Sequence, residues 1–283
     1  MINTDILLKD YSQPFLYEQD NKLSLLCCFA RWNIAEKFGS EGFTIKAWKI
    51  HRVSDVLNNT KSERIKLPKQ IEGYGRVVLE CNPCLHNENL LTYTCGIKTH
   101  DLSAIYYFII AAQLDGNKCL DYKVIHRAFN GAFHDKYIYY ISNLGKTLEI
   151  ANAYDITDIR KTKTFSLEKD EQIIRLNRIY NHEIFVITVA GRGTAKSMLI
   201  DENLEIIKDI TIDGEDVYKC SIYKDYLAYT VKDPSKLYAS ENRSIVVTKL
   251  DTSMTSTYKY DIYLIQNSNR IPVDTLDYLA HQE

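Results

Sequence analysis

The amino-acid sequence predicts an all-β chain folded as a single five-bladed β-propeller, and three observations carry that expectation. Five segments share one form: a small or polar start, two or three strand residues, a short polar patch, then an alternating or continuous apolar run. They are SQPFLYEQDNKLSLLCCF, CNPCLHNENLLTYTCG, FNGAFHDKYIYYISN, LNRIYNHEIFVITVA and YKCSIYKDYLAYTVK. Leu16, Leu85, Phe133, Ile179 and Ile222 hold equivalent places, 69, 48, 46 and 43 residues apart, and the last three intervals each suit one four-stranded blade. Composition agrees, because 21 tyrosines among many Ile, Val and Thr residues favour pleated, half-buried surfaces over helix.

The repeat divides the chain into blades at about 8–72, 73–127, 128–170, 171–214 and 215–262, with 263–283 as a closing strand or tail. The long first interval is read as an insertion or long connection at VLNNTKSERIKLPKQIEG. Each unit offers a second strand downstream: FTIKAWKIHR, IYYFIIAAQLDG, TLEIANAYDI, SMLIDENLEII and SIVVTKLD. Only RWNIAEKF and the tail PVDTLDYLAHQE suit short helices, and the tail is equally suited to closing the ring on the first blade, since a propeller must cover its exposed edge. The competing architecture is a β-sandwich or a pair of smaller β domains.

A chain of 283 residues with 45% hydrophobic and 25% charged side chains builds a sizeable core and is not disordered. A net charge of −2, from 35 basic and 37 acidic groups, leaves no footprint for nucleic acid or an anionic membrane, and neither partner is expected. No apolar run reaches eighteen residues, and the acidic opening MINTDILLKDYSQ lacks the character of a secretory signal. Seven cysteines, an odd number mostly inside apolar runs, fit reduced core thiols and a cytoplasmic protein. The sequons at Asn58 and Asn242 carry no weight in that compartment.

In a propeller the first strand of each blade lies innermost, so its opening residues face the axis. Three positions before each anchor stand Gln13, Asn82, Asn130, Leu176 and Lys219, with Asn177 one step away in the fourth unit. This ring of amides reads either as ligand-binding or as side chains bonding neighbouring backbone in turns. Arg127, Arg175 and Lys219 lie near the same starts and favour an anionic sugar, a phosphate or a carboxylate-bearing ligand; the other reading lays them over aromatic surface.

The segments QPFLYEQDNKLSLL, NPCLHNENLLTY and NGAFHDKYIYY resemble the blade openings of the five-bladed glycoside hydrolase and phosphorylase superfamily, which includes arabinanases, xylosidases, invertases and mannoside phosphorylases. The resemblance implies a carboxylate at the start of each of the first three blades, acting as base or nucleophile, modulator and general acid. This sequence holds Gln13, Asn82 and Asn130 there. Amides keep the shape of carboxylates but do not ionise at neutral pH, so hydrolysis by the usual pair of carboxyl groups lacks its parts. Asp10 and Glu80 are the candidate displaced acids, with Glu149 a third, and each is equally read as a solvated acid beside a strand.

Other motifs are set aside. AGRGTAKS lacks the spacing of a phosphate-binding loop and precedes a strand-like run, so it reads as a loop within the fourth blade. Cys81, Cys84, His86 and Cys95 include zinc-ligand types, but strand alternation separates them and no second CxxC completes a site. Cys27 and Cys28 read as core. The seven histidines show no HExxH spacing; His86, His134 and His182 recur at the first turn of a repeat. Trp32, Trp48 and the tyrosines suit sugar rings or packing. Neither sialidase Asp boxes nor a WD signature occurs.

The functional expectation is a carbohydrate-binding or carbohydrate-processing propeller that is not a conventional glycoside hydrolase, with a carbohydrate or sugar phosphate as ligand and no cofactor or metal. The alternatives are a non-enzymatic protein-interaction scaffold and an active glycosidase or phosphorylase using displaced acids. An open polar axis would favour a pocket; a plugged one would not.

Overall fold

The computed structural model describes residues 6–31, 37–38, 43–44, 47–98, 105–191, 195–210, 219–232 and 243–249. These form five sheets of a β-propeller, one small ribbon and a single 3₁₀ turn at Asn143–Gly145. After β1 (Ile6–Lys9), the first sheet is built from β2 (Tyr11–Gln19) and β3 (Lys22–Arg31), and the ribbon follows as β4 (Lys37–Phe38) with β5 (Phe43–Thr44). Then β6 (Ala47–Val53) and β7 (Ser62–Arg64) complete the order β2-β3-β6-β7.

The second sheet runs β8 (Gln70–Ile71), β9 (Gly75–Leu85), β10 (Leu90–Lys98), β11 (Ile105–Asp115) and β12 (Lys118–His126). The third is β13 (Gly131–His134), β14 (Tyr137–Ser142), β15 (Thr147–Asn152) and β16 (Asp155–Thr164). The fourth is β17 (Gln172–Arg178), β18 (Phe185–Ala190), β19 (Ala195–Ile200) and β20 (Ile206–Ile210). The fifth contains β21 (Cys220–Tyr223), β22 (Tyr226–Lys232) and β23 (Arg243–Lys249), and β1 forms its outer edge, antiparallel from Ile6 opposite Val247 to Lys9 opposite Ser244. The N-terminal strand therefore joins the last blade to the first.

The tail assigned in the sequence to a helix or closing strand lies outside the described residues. Of RWNIAEKF, Arg31 ends β3 and Lys37–Phe38 is strand, with the rest outside. The tract VLNNTKSERIKLPKQIEG is not a mere insertion, because it carries the outer strand β7 of one blade and the short β8 of the next. Its polar composition hid two strands that gain order from pairing.

The recurrent polar patches are hairpin turns. Asp20, Asn21, Asp135, Asn181 and Lys224 take φ between 51° and 58°, the left-handed conformation that short hairpins require and that Asp and Asn tolerate best. The apolar runs beside them pack blade against blade, with Phe15, Leu16, Leu25, Leu26, Leu85 and Phe185 wholly buried in one continuous core. No helix among the described residues is long and apolar enough to cross a membrane.

The inner strands of the first two blades share a distortion. Pairing of β2 with β3 skips between Ser12 and Phe15, and pairing of β9 with β10 shifts around Asn82 and Pro83. Gln13 and Asn82 there have φ of 58° and 51°. These are β-bulges, and Pro14 and Pro83 are tolerated because an innermost strand leaves its axial edge largely outside any ladder. The third blade has Gly131 instead, where a Cβ would come within 2.5 Å of Ile109 Cδ1 and 2.8 Å of the Tyr139 carbonyl oxygen. Close packing, not backbone freedom, makes glycine necessary there.

Candidate functional site

In the first two blades the bulge accompanies a side chain turned toward the neighbouring blade, and Asn130 reaches the next blade without one. Gln13 Oε1 accepts from the backbone N–H of Asn82 at 2.5 Å and from Cys28 Sγ at 3.5 Å. Asn82 Nδ2 donates to the Phe129 carbonyl at 3.3 Å, which also accepts from Thr94 Oγ1 at 2.5 Å. Asn130 Nδ2 donates to the Ile174 carbonyl at 3.1 Å while its Oδ1 accepts from the Leu176 N–H at 3.4 Å. The first blade is thereby tied to the second, the second to the run leading into the third, and the third to the fourth.

Hydroxyls and a thiol continue the ring. Cys220 Sγ donates to Ser197 Oγ at 3.3 Å, between the fifth and fourth blades. Ser221 Oγ accepts from the Leu16 N–H at 2.8 Å and Thr230 Oγ1 from the Gln13 N–H at 3.1 Å, between the fifth blade and the first. These hydroxyl partners had no signal in the sequence, since a serine or threonine in a strand looks the same whether or not it faces another blade.

Side chains from different blades meet across the axis. Arg175 crosses it from the fourth blade, its Nη2 donating to the Pro14 carbonyl of the first at 2.8 Å. Tyr180 meets Tyr17 edge-on at 5.8 Å and Tyr223 at 5.7 Å, and Cys84 Sγ reaches the Arg178 carbonyl at 4.0 Å. Arg175 and Asn177 stand two residues apart on β17 and so share a face of that strand. Asn177 Oδ1 and Nδ2, Asn82 Oδ1, and Arg175 Nε and Nη1 are buried without a hydrogen-bond partner. Lys219 is 5% exposed. Burial, then the nearby Arg175 charge, lowers its pKa to about 7.

Six of the seven proposed ligand-binding residues thus lie at the blade starts or on the axis: Gln13, Asn82, Asn130, Arg175, Asn177 and Lys219, all buried. Arg127 stands elsewhere. It is exposed, with its guanidinium carbon 4.2 Å from the centre of the Tyr106 ring. Two residues on, Phe129 packs edge-on against Tyr107 at 4.9 Å. Tyr106 and Tyr107 point to opposite faces of β11, so Arg127 and Phe129 clasp the top of the second blade between them. Tyr106 is 39% and Phe129 44% exposed.

The acids are dispersed. Glu80 is 1% exposed, with Lys49 Nζ at 2.8 Å, the Ile50 N–H at 3.3 Å and Arg64 Nη2 at 4.0 Å from its carboxylate. It is sealed between the first two blades and has no open side for a substrate. Asp10 is exposed at the β1–β2 corner with φ of 68°, its N–H donating to the Arg243 carbonyl at 3.0 Å. Glu149 accepts from the Tyr140 hydroxyl. His86 bonds Thr92 Oγ1 at 2.7 Å within its own hairpin, and burial lowers its pKa well below the ordinary histidine value. Lys196, from the phosphate-loop-like segment, pairs with Glu171 at 3.0 Å; residues 192–194 lie outside the described residues.

No family model matches the sequence, and no curated protein matches it. Solved structures do share the fold. A variant of the exo-β-1,3-galactanase of Phanerochaete chrysosporium, solved with β-1,3-galactotriose, superposes with a TM-score of 0.51 at 11% identity, over 86% of this chain and 60% of that one. A glycosyl hydrolase from Bacteroides ovatus superposes with a TM-score of 0.50 at 9% identity, over 88% and 86% of the two chains. The chain spans about three-fifths of the galactanase. The five-bladed propeller is thus one that glycoside hydrolases also use.

Proposed function

We propose that this protein is a carbohydrate-binding propeller without conventional hydrolytic activity. It would hold a sugar on the outward face of the second and third blades. The observation that carries this is the exposed pair of Arg127 and Tyr106, on a segment held in place by Phe129, which packs on the opposite face of β11 and whose carbonyl accepts from Asn82. Aromatic faces suit the C–H faces of sugar rings, and an exposed guanidinium offers a charge-assisted bond to an acidic sugar or sugar phosphate. The glycoside-acting proteins of the same fold support a carbohydrate as the ligand class.

Loss of hydrolysis follows from the blade starts. Where a general acid or base is required, this chain has amides engaged in blade-to-blade bonds, and the buried Glu80 is neutralised by Lys49. The amides act on a ligand indirectly, by fixing the segment that carries Phe129. Thermal-shift and calorimetric titration against neutral oligosaccharides, acidic oligosaccharides and sugar phosphates tests the reading. Tyr106→Ala should abolish any response, and Arg127→Ala should remove only that to anionic members. If no carbohydrate binds while a pulldown recovers a protein in fixed proportion, the interaction scaffold is the better reading.

A further inference from the structure

We propose that the propeller axis holds a compact inorganic anion of chloride size, bound between Arg175 and Lys219 with the Asn177 amide as a neutral partner. This stands independently of the surface proposal above. Arg175 is 0% exposed and uses one of its nitrogens, Nη2, on a carbonyl, leaving Nε and Nη1 without partners. Lys219 is close enough for the two cations to disfavour each other, and Arg243 adds a third positive group beside Lys219. No described carboxylate is bonded to Arg175 or Lys219. Two adjacent cations withdrawn from water without a counter-charge are among the costliest arrangements a protein interior can contain.

The chain's own groups do not supply the negative charge. The other side chains acting on the pair are the thiols of Cys28, Cys81, Cys84 and Cys220. Burial raises the pKa of all four, that of Cys81 to about 12, so they remain neutral near pH 7. Water can satisfy N–H groups but not charge. Arg175 and Asn177 are 0% and 2% exposed, which leaves no opening for a sugar or a carboxylate-bearing metabolite, whereas a monatomic anion needs little more room than a water. Asn177, with both side-chain polar atoms unpartnered and on the same strand face as Arg175, has an N–H pair to contribute.

The test is thermal unfolding of the full chain after dialysis into sodium chloride or sodium gluconate at equal ionic strength, gluconate being too bulky to enter. Chloride should raise the melting temperature by about 3 °C or more at pH 6 and by clearly less at pH 9, where Lys219 is neutral. Lys219→Met should shrink the chloride response and abolish its pH dependence. Gln13→Glu would add a carboxylate beside Cys28 and Pro14, in the same cluster; it should raise the melting temperature in gluconate and erase the chloride response. Crystals grown in bromide should show an anomalous peak within hydrogen-bond reach of Arg175 and Lys219. Equal melting temperatures in the two salts at pH 6, a chloride response unchanged in Lys219→Met, or bromide crystals lacking that peak would each overturn the proposal.

Discussion

Glu80 and Arg175 are both buried charges carried by innermost strands, yet their surroundings are opposite. Glu80 has a full complement: an ammonium at 2.8 Å, a backbone N–H at 3.3 Å and a guanidinium at 4.0 Å. Arg175 has one carbonyl, four thiols and another cation. The difference teaches where this propeller is self-sufficient. The seam between the first two blades closes its own charge balance; the axis between the fourth and fifth blades and the first does not.

The largest expected effect tests the self-sufficient side. Lys49→Met strands the Glu80 carboxylate and should cost about 3–5 kcal/mol in urea unfolding, whereas the Lys49→Met/Glu80→Gln double variant should recover most of it. A double variant no more stable than Lys49→Met alone would mean that the lysine acts by packing.

The next effect lies on the other side and appears as pH dependence. Lys219 has a folded pKa lowered to about 7 from 10.5, so above pH 7 the unfolded chain binds more protons at this group and stability rises with pH. From about pH 8 the buried thiols oppose this, because their raised folded pKa values make stability fall once unfolded cysteines ionise. In gluconate, the Lys219 contribution therefore appears as a difference between variants: the wild type should gain about 2 kcal/mol relative to Lys219→Met from pH 7 to 9, while the thiols pull both down. A difference that stays constant over that range would assign the pH dependence to another group.

The smallest effects separate the amides, which look alike in sequence. A carbonyl only accepts, so Asn82 and Asn130 must present nitrogen to Phe129 and Ile174, and an aspartate there would set oxygen against oxygen. Asn82→Asp and Asn130→Asp should each lose about 1–2 kcal/mol. Gln13 instead accepts through Oε1, and Gln13→Glu keeps those bonds while adding negative charge near two cations. Equal losses in all three variants would contradict this division.

Much of this was legible in the chain. The blade spacing, the polar hairpin turns and the amide ring follow from short-range rules, because strand pairing within a blade and left-handed turn residues are local. The displaced acid was harder to judge. Glu80 read as a candidate only because nothing in the sequence around it names Lys49, 31 residues earlier, as its partner across a blade seam. Phe129 gave a faint signal, an aromatic immediately before an amide start; Arg127 two residues away read as pocket charge and is instead a surface group over Tyr106.

By itself the sequence determined the repeat, the all-β character and the absence of ionisable groups at the first three blade starts, since these depend on residue type and spacing alone. Tertiary structure decided that β1 closes the ring, that the amides act as latches between blades, and that two cations meet at the axis. Each of those depends on which side chains from distant blades come face to face. In a ring of five sheets that is settled only when the last blade meets the first.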